Sequence, residues 1–206
     1  MLRRLFSFLL RWTVLLCVPG GALWALSPTG VYISNYAFHT PNVFWKMFWP
    51  APLLLLLGLI GLQLRQWELS GFLEKLGFLV AAIGLVMVMA GDIGLYWLGI
   101  DDVFIVTAPA YNTFRIGLIV LALGSIIFAV TSPRDGALPS WGLLPFVLGS
   151  LCGLVSFSRD FGTFGTVLWI LFGVGWAWLG LSLVVVGLSS FLRDRRANRI
   201  GVAIKQ

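Results

Sequence analysis

Acid–base, nucleophilic or metal chemistry needs titratable side chains close together, and this chain carries few of them. It has eight acidic residues and one histidine, His39. A single histidine excludes a bis-histidine haem, an HExxH zinc motif and a histidine-rich di-metal centre. No glycine loop of nucleotide-binding type occurs. No serine or cysteine stands beside a residue that could serve as its base. The acid that stands out is Asp92, because it lies within the apolar run Leu76–Phe104, LGFLVAAIGLVMVMAGDIGLYWLGIDDVF. A carboxylate costs roughly 2.5–3.5 kcal/mol at a bilayer centre, so Asp92 is expected to face protein or water. Tyr96 lies one turn further along the same face, near enough to hydrogen-bond it. Arg115 is the expected ion partner, with Arg159 second.

These residues belong to a wider polar group. Asp92, Tyr96, Asp101, Asp102, Arg115, Arg159 and His39 all fall on the side read below as outer, with Tyr32, Tyr36 and Tyr111. Two meanings compete. The group could line a vestibule that binds a small polar solute, a cation or a proton. Alternatively, Asp92 is a paired residue that fixes the third helix to the fourth, and the loops are merely wet. The remaining two thirds of each span is almost purely apolar, which favours the second.

The elements that must position these residues are membrane helices. The chain has 206 residues, 59% hydrophobic and only 11% charged, with mean hydropathy +0.97; a soluble domain carries about 25% charged residues. The apolar residues come in long blocks, the pattern of spanning segments. The expected fold is all-α: a polytopic integral membrane protein with six helices in one bundle. The spans fall at about 5–26, 43–62, 76–98, 113–130, 142–157 and 163–188. Residues 1–192 form the transmembrane domain and 193–206 a basic cytoplasmic tail. Leu23 and Trp24 interrupt the small-x-small cleavage pattern of a secretory leader, so the first block is read as a span. Pro19-Gly20-Gly21 should loosen its middle. Ser27–Asn42 is read as a polar connection, and Ser70 as the N-cap of the third span.

Charge sets the orientation. With the N-terminus inside, eleven of the fourteen basic residues fall on the cytoplasmic side: Arg3, Arg4, Arg11, Arg65, Lys75, Arg134, Arg193, Arg195, Arg196, Arg199 and Lys205. Only Lys46, Arg115 and Arg159 lie outside, a clear positive-inside bias. The net charge of +6 is thus accounted for by span ends rather than by nucleic acid. Arg193, Arg195, Arg196 and Arg199 suit contact with anionic lipid head groups. Cys17 and Cys152 sit in apolar runs and read as small buried hydrophobes.

A second pattern concerns packing. Gly77, Gly84 and Gly91 recur every seven residues in the third span, as do Gly173, Gly180 and Gly187 in the sixth. Gly149 and Gly153 form a GxxxG pair in the fifth. Glycine at this spacing lets two helix backbones approach closely along one face. The stripes are expected to pack against neighbouring helices, the third and sixth against each other being one arrangement. The sequence therefore leads to a non-enzymatic, multi-pass protein of the cell membrane. No cofactor, metal or nucleic acid is expected. It is a tightly packed bundle that associates with a membrane partner or with itself. The alternative is a small-solute or ion permease, or its membrane-embedded binding subunit, using the Asp92 group; an intramembrane enzyme ranks below both.

Overall fold

The computed structural model describes the backbone of residues 14–37, 42–67, 70–98, 109–132, 140–157 and 163–203. Side chains are described for residues 15–30, 44–64, 66, 67, 70–98, 109–132, 141–157 and 163–185. A short 3-10 turn, Val14–Leu16, leads into α1 (Cys17–Ala37). There follow α2 (Asn42–Lys46), α3 (Pro50–Gln66), α4 (Phe72–Tyr96), α5 (Pro109–Thr131), α6 (Ser140–Phe157) and α7 (Thr163–Ala203). No strand occurs among the described residues. Four stretches are long and apolar enough to cross a membrane: Phe44–Leu64, Phe72–Tyr96, Pro109–Thr131 and Thr163–Val185. Trp141–Phe157 is a shorter apolar helix. Large apolar side chains such as Leu79, Ile83 and Val86 of α4 and Leu144, Leu148 and Leu151 of α6 point outward. An apolar perimeter around an apolar core suits hydrocarbon and not water, so the protein is membrane-embedded.

The first helix departs most from expectation. Residues 27–37, read as the start of a polar connection, are helical to Ala37, and Pro19-Gly20-Gly21 lies in the first turn instead of mid-span. The reason is local. The Ser27 hydroxyl donates to the Leu23 carbonyl oxygen at 2.9 Å, and Thr29 does the same to Ala25 at 2.9 Å. Each polar side chain is thereby satisfied within its own helix. Pro28 has no N–H, so the carbonyl four residues back, on Trp24, loses its helical donor. The indole Nε1 of Trp169 on α7 donates to that oxygen at 3.2 Å. A proline that looks like a helix breaker is therefore mended by another helix.

Other boundaries shift for similar reasons. Pro50 opens α3, where a missing N–H costs least. Ser70 does not cap α4; the N-cap is Gly71, with no side-chain cap. Ser70 Oγ donates instead to the Gln66 carbonyl oxygen at 2.8 Å, closing the end of α3. Residues 193–203, expected as a separate tail, continue α7 without a break, so Arg193, Arg195, Arg196 and Arg199 lie on helical backbone.

The helices meet where glycine removes the side chain between them. A Cβ on Gly77 would sit 2.5 Å from the backbone nitrogen of Phe128, and one on Gly91 2.6 Å from that of Phe114. Between them, a Cβ on Gly84 would strike the backbone of Leu121. From the other side, Gly117 and Gly124 of α5 meet Val88 and Ala81. The α4 and α5 backbones are thus in antiparallel contact over most of their length. The sixth span's stripe has a different neighbour: Gly173 meets Gly21 and Ala25 of α1, and Gly180 meets Val18 and Cys17. The third and sixth spans do not share their glycine faces. Gly149 lies against Leu171 and Gly175 of α7, and Gly153 against the rings of Phe172 and Phe157.

An aromatic cluster then ties these pairs together, with rings from α1, α2, α4, α5, α6 and α7. Trp24 of α1 packs on Phe48, just after α2, at 4.8 Å between centroids, and on Trp169 of α7 at 5.7 Å. Phe114 of α5 stacks on Trp169 at 6.2 Å, and Phe157 of α6 meets Trp169 edge-on at 5.1 Å. Trp45 of α2 lies flat against Tyr96 of α4 at 5.5 Å. Trp24, Phe48, Trp169 and Phe172 are fully buried.

Two outcomes follow for stability in mild detergent. Gly84→Leu forces the α4 and α5 backbones apart and should cost at least the ~1–3 kcal/mol of core overpacking. Gly71→Ala, with nothing within 4 Å of the added carbon, should leave the melting temperature unchanged; equal effects would refute the close-contact account. For the mended proline, a double-mutant cycle is decisive. Trp169→Phe orphans the Trp24 oxygen, at about 1–3 kcal/mol, in addition to its packing loss. In a Pro28→Ala background the new N–H can take over, so the same substitution should cost about 1 kcal/mol less.

Candidate functional site

Asp92 lies near the C-terminal end of α4 on the face that carries buried Leu85, Val88 and Leu95. It is 0% exposed, and neither carboxyl oxygen has a hydrogen-bond partner. The expected ion pair with Arg115 does not form. The register of α5 explains this. That helix begins at Pro109, so Arg115 lies well inside it, and Phe114 is the residue directly against Gly91. The adjacent residue is rotated about 100° around the helix axis, away from that contact. Tyr96 does not hydrogen-bond Asp92 either. Its ring is held flat on Trp45, although it stays within electrostatic range of both Asp92 and Tyr111. Trp97 Nε1 donates to the Lys46 carbonyl oxygen at 3.2 Å, fastening this end of α4 to α2.

Of the remaining members of the proposed group, His39, Asp101, Asp102 and Arg159 lie outside the described residues. The structure therefore brings Asp92, Tyr96 and Tyr111 into one neighbourhood, leaves Arg115 out of a pair with Asp92, and leaves the carboxyl buried and unmatched. Removing an unsatisfied buried polar group is worth about 1–3 kcal/mol.

A second polar cluster, at the opposite end of α4, escaped the sequence reading. Glu74 is 0% exposed, and Gln63 and Gln66 of α3 are each 1% exposed. Gln63 Nε2 donates to Ser70 Oγ at 3.2 Å, and the Ser132 hydroxyl donates to Gln66 Oε1 at 3.3 Å. Ser70 and Ser132 both neighbour the Glu74 carboxyl, but their protons go to Gln66. Both Glu74 oxygens are consequently without a hydrogen-bond partner, as are Gln63 Oε1 and Gln66 Nε2. The nearby Lys75 does not pair with Glu74; its Nζ sits 4.5 Å over the Trp67 ring. The spans expected at 43–62 and 76–98 left residues 63–75 as the connection between them. The available signal was Gln63 and Gln66, three apart and so on one helical face, if α3 were carried one turn further.

Glu74 and Asp92 are eighteen residues apart, five full turns, which puts both on one face of α4 about 27 Å from each other. Between them that face presents Ala81, Leu85 and Val88, all buried. Ser125 of α5, next to the Gly124–Ala81 contact, is buried midway with its hydroxyl unpartnered. Comparison with family models, curated proteins and solved structures finds no match for the chain.

If Asp92 is not a structural partner of α5, the fold does not need its charge. Asp92→Asn should leave the melting temperature in detergent unchanged or raise it, whereas a fall of several degrees would restore the paired-residue account.

Proposed function

We propose that this chain is a membrane-embedded, non-enzymatic protein that binds a small polar solute or ion at Asp92. It would act as a permease or as the binding subunit of one. The observation that carries this reading is the Asp92 carboxyl, fully enclosed in a membrane-spanning helix with both oxygens unmatched. An ionisable group inside the membrane is expensive and is kept where it serves a pathway or a ligand. The sequence favoured a packing role because the rest of each span is almost purely apolar; the part of that reading in which Asp92 is a paired residue lacks its expected partner, Arg115. The aromatic rings of Trp45, Tyr96 and Phe114 at the same end supply an apolar wall, and Tyr111 a polar edge, the composition of a small-molecule site.

We place six spans in the cytoplasmic membrane: α1, the α2–α3 stretch, α4, α5, α6 and the apolar part of α7. Both termini are cytoplasmic. The basic residues favour this, because Arg65, Lys75 and the arginines of late α7 belong to the Glu74 end. Asp92 then lies nearer the outer face.

The second reading, a packed bundle that serves a membrane partner or forms a homo-oligomer, is favoured by the buried apolar stretch Ala81–Leu85–Val88 between the polar ends. It is weakened because the glycine faces of α4 and α7 are occupied by α5 and α1. Native mass spectrometry of the chain extracted in mild detergent separates the two. The wild type should retain a small polar molecule or ion that Asp92→Asn lacks. A stoichiometric protein partner held equally by both, with no small ligand, would overturn the binding proposal in favour of the partner reading.

A further inference from the structure

The geometry points to a second site, independent of Asp92: a monovalent cation of the sodium class held at Glu74, between the C-terminal ends of α3 and α5 and the first turn of α4. The cluster has an excess of acceptors. Three acceptor atoms, Glu74 Oε1, Glu74 Oε2 and Gln63 Oε1, have no partner, against one unpartnered donor, Gln66 Nε2. In the structure the hydroxyl protons of Ser70 and Ser132 are directed at Gln66, although both hydroxyls also lie within hydrogen-bonding reach of the Glu74 carboxyl. Those hydroxyl oxygens keep free lone pairs. Together with Gln66 Oε1, they complete a set of oxygens gathered from three elements. A cation is the species that satisfies many oxygens at once.

Charge decides which cation. Among the described residues Glu74 is the single carboxylate in the cluster, and no three of His, Cys, Asp or Glu come together. One negative charge with neutral amide, hydroxyl and carbonyl oxygens balances a monovalent ion. Calcium sites draw on several carboxylates, and magnesium retains much of its water. The ends of α3 and α5 add the partial negative charge of helix C-termini, which favours a cation. Lys75, the built-in competitor, is held over Trp67 instead of on the carboxyl. Burial of Glu74, Gln63 and Gln66 also denies these groups the water that would otherwise satisfy them.

Equilibrium binding of radioactive sodium ion to the full chain in nanodiscs, in a choline chloride background of constant ionic strength, tests the assignment. The wild type should bind saturably, with about one ion per chain. Glu74→Gln should abolish binding, and Ser132→Ala, should Glu74→Gln not fold, should weaken it about tenfold, the loss of one ligating oxygen. Asp92→Asn should bind like the wild type, which keeps this site distinct from the one proposed above. Absence of saturable binding, binding unchanged in Glu74→Gln or in a folded Ser132→Ala, or displacement by calcium at lower concentration than by sodium would overturn it.

Discussion

Close approach of helix backbones is the constraint on which this structure depends. Inside a bilayer, lipid tails are as apolar as leucine, so burying apolar side chains does little to bring helices together. Van der Waals contact between backbones can, provided nothing bulky intervenes. The α4–α5 pair meets this condition from both sides, with Gly77, Gly84 and Gly91 facing one way and Gly117 and Gly124 the other. Gly21, Gly173 and Gly180 do the same for α1 and α7. The protein therefore contains two backbone-locked pairs, and Gly149 brings α6 similarly close to Leu171 and Gly175 of α7. The contact between α5 and α7 is of another kind, Phe114 stacked on Trp169, and Trp45 of α2 and Phe48 just after it add rings against Tyr96 and Trp24.

The same dry surround sets strict terms for polar atoms, and the chain meets them unevenly. Ser27, Thr29, Thr113, Thr131 and Ser150 each donate to a carbonyl four residues back. The Trp24 carbonyl freed by Pro28 is matched by an indole from α7. Against that background, the unmatched atoms of Asp92, Glu74, Gln63 and Gln66 gather at the two ends of α4, whereas Ser125 Oγ and the indole nitrogens of Trp24 and Trp176 are unmatched elsewhere.

The parts of this fold legible in the sequence were those carried by long-range periodicity. Runs such as Leu53–Leu62 and Leu76–Leu98 mark helices by apolarity alone, and helical glycine spacing marks a bare face. What could not be read was which face meets which neighbour, because a seven-residue stripe is complementary to any helix with small residues. Gly117 and Gly124 had the same spacing but were too few to stand out. The first helix was misplaced because Ser27, Pro28 and Thr29 are turn residues by local preference; their helical state relies on carbonyl acceptors and on Trp169, 141 positions away from Pro28 in the chain. The Glu74 cluster was hidden for a related reason. Its members come from α3, the link, α4 and α5, and no single window of sequence contains them.

The division into two locked pairs also bears on how a polar ligand could move. Separating α4 from α5, or α1 from α7, would break backbone contact along most of a helix. The α5–α7 contact is ring on ring, Phe114 on Trp169, and is worth on the order of 0.5–1.5 kcal/mol beyond its buried area. The α3 helix joins the α4–α5 pair through the Ser132–Gln66 hydrogen bond, and α2 joins it through Trp45 on Tyr96, near Asp92. A cation that draws the α3 amides onto Glu74 would tighten the first of these joints, while a ligand at Asp92 would act at the second.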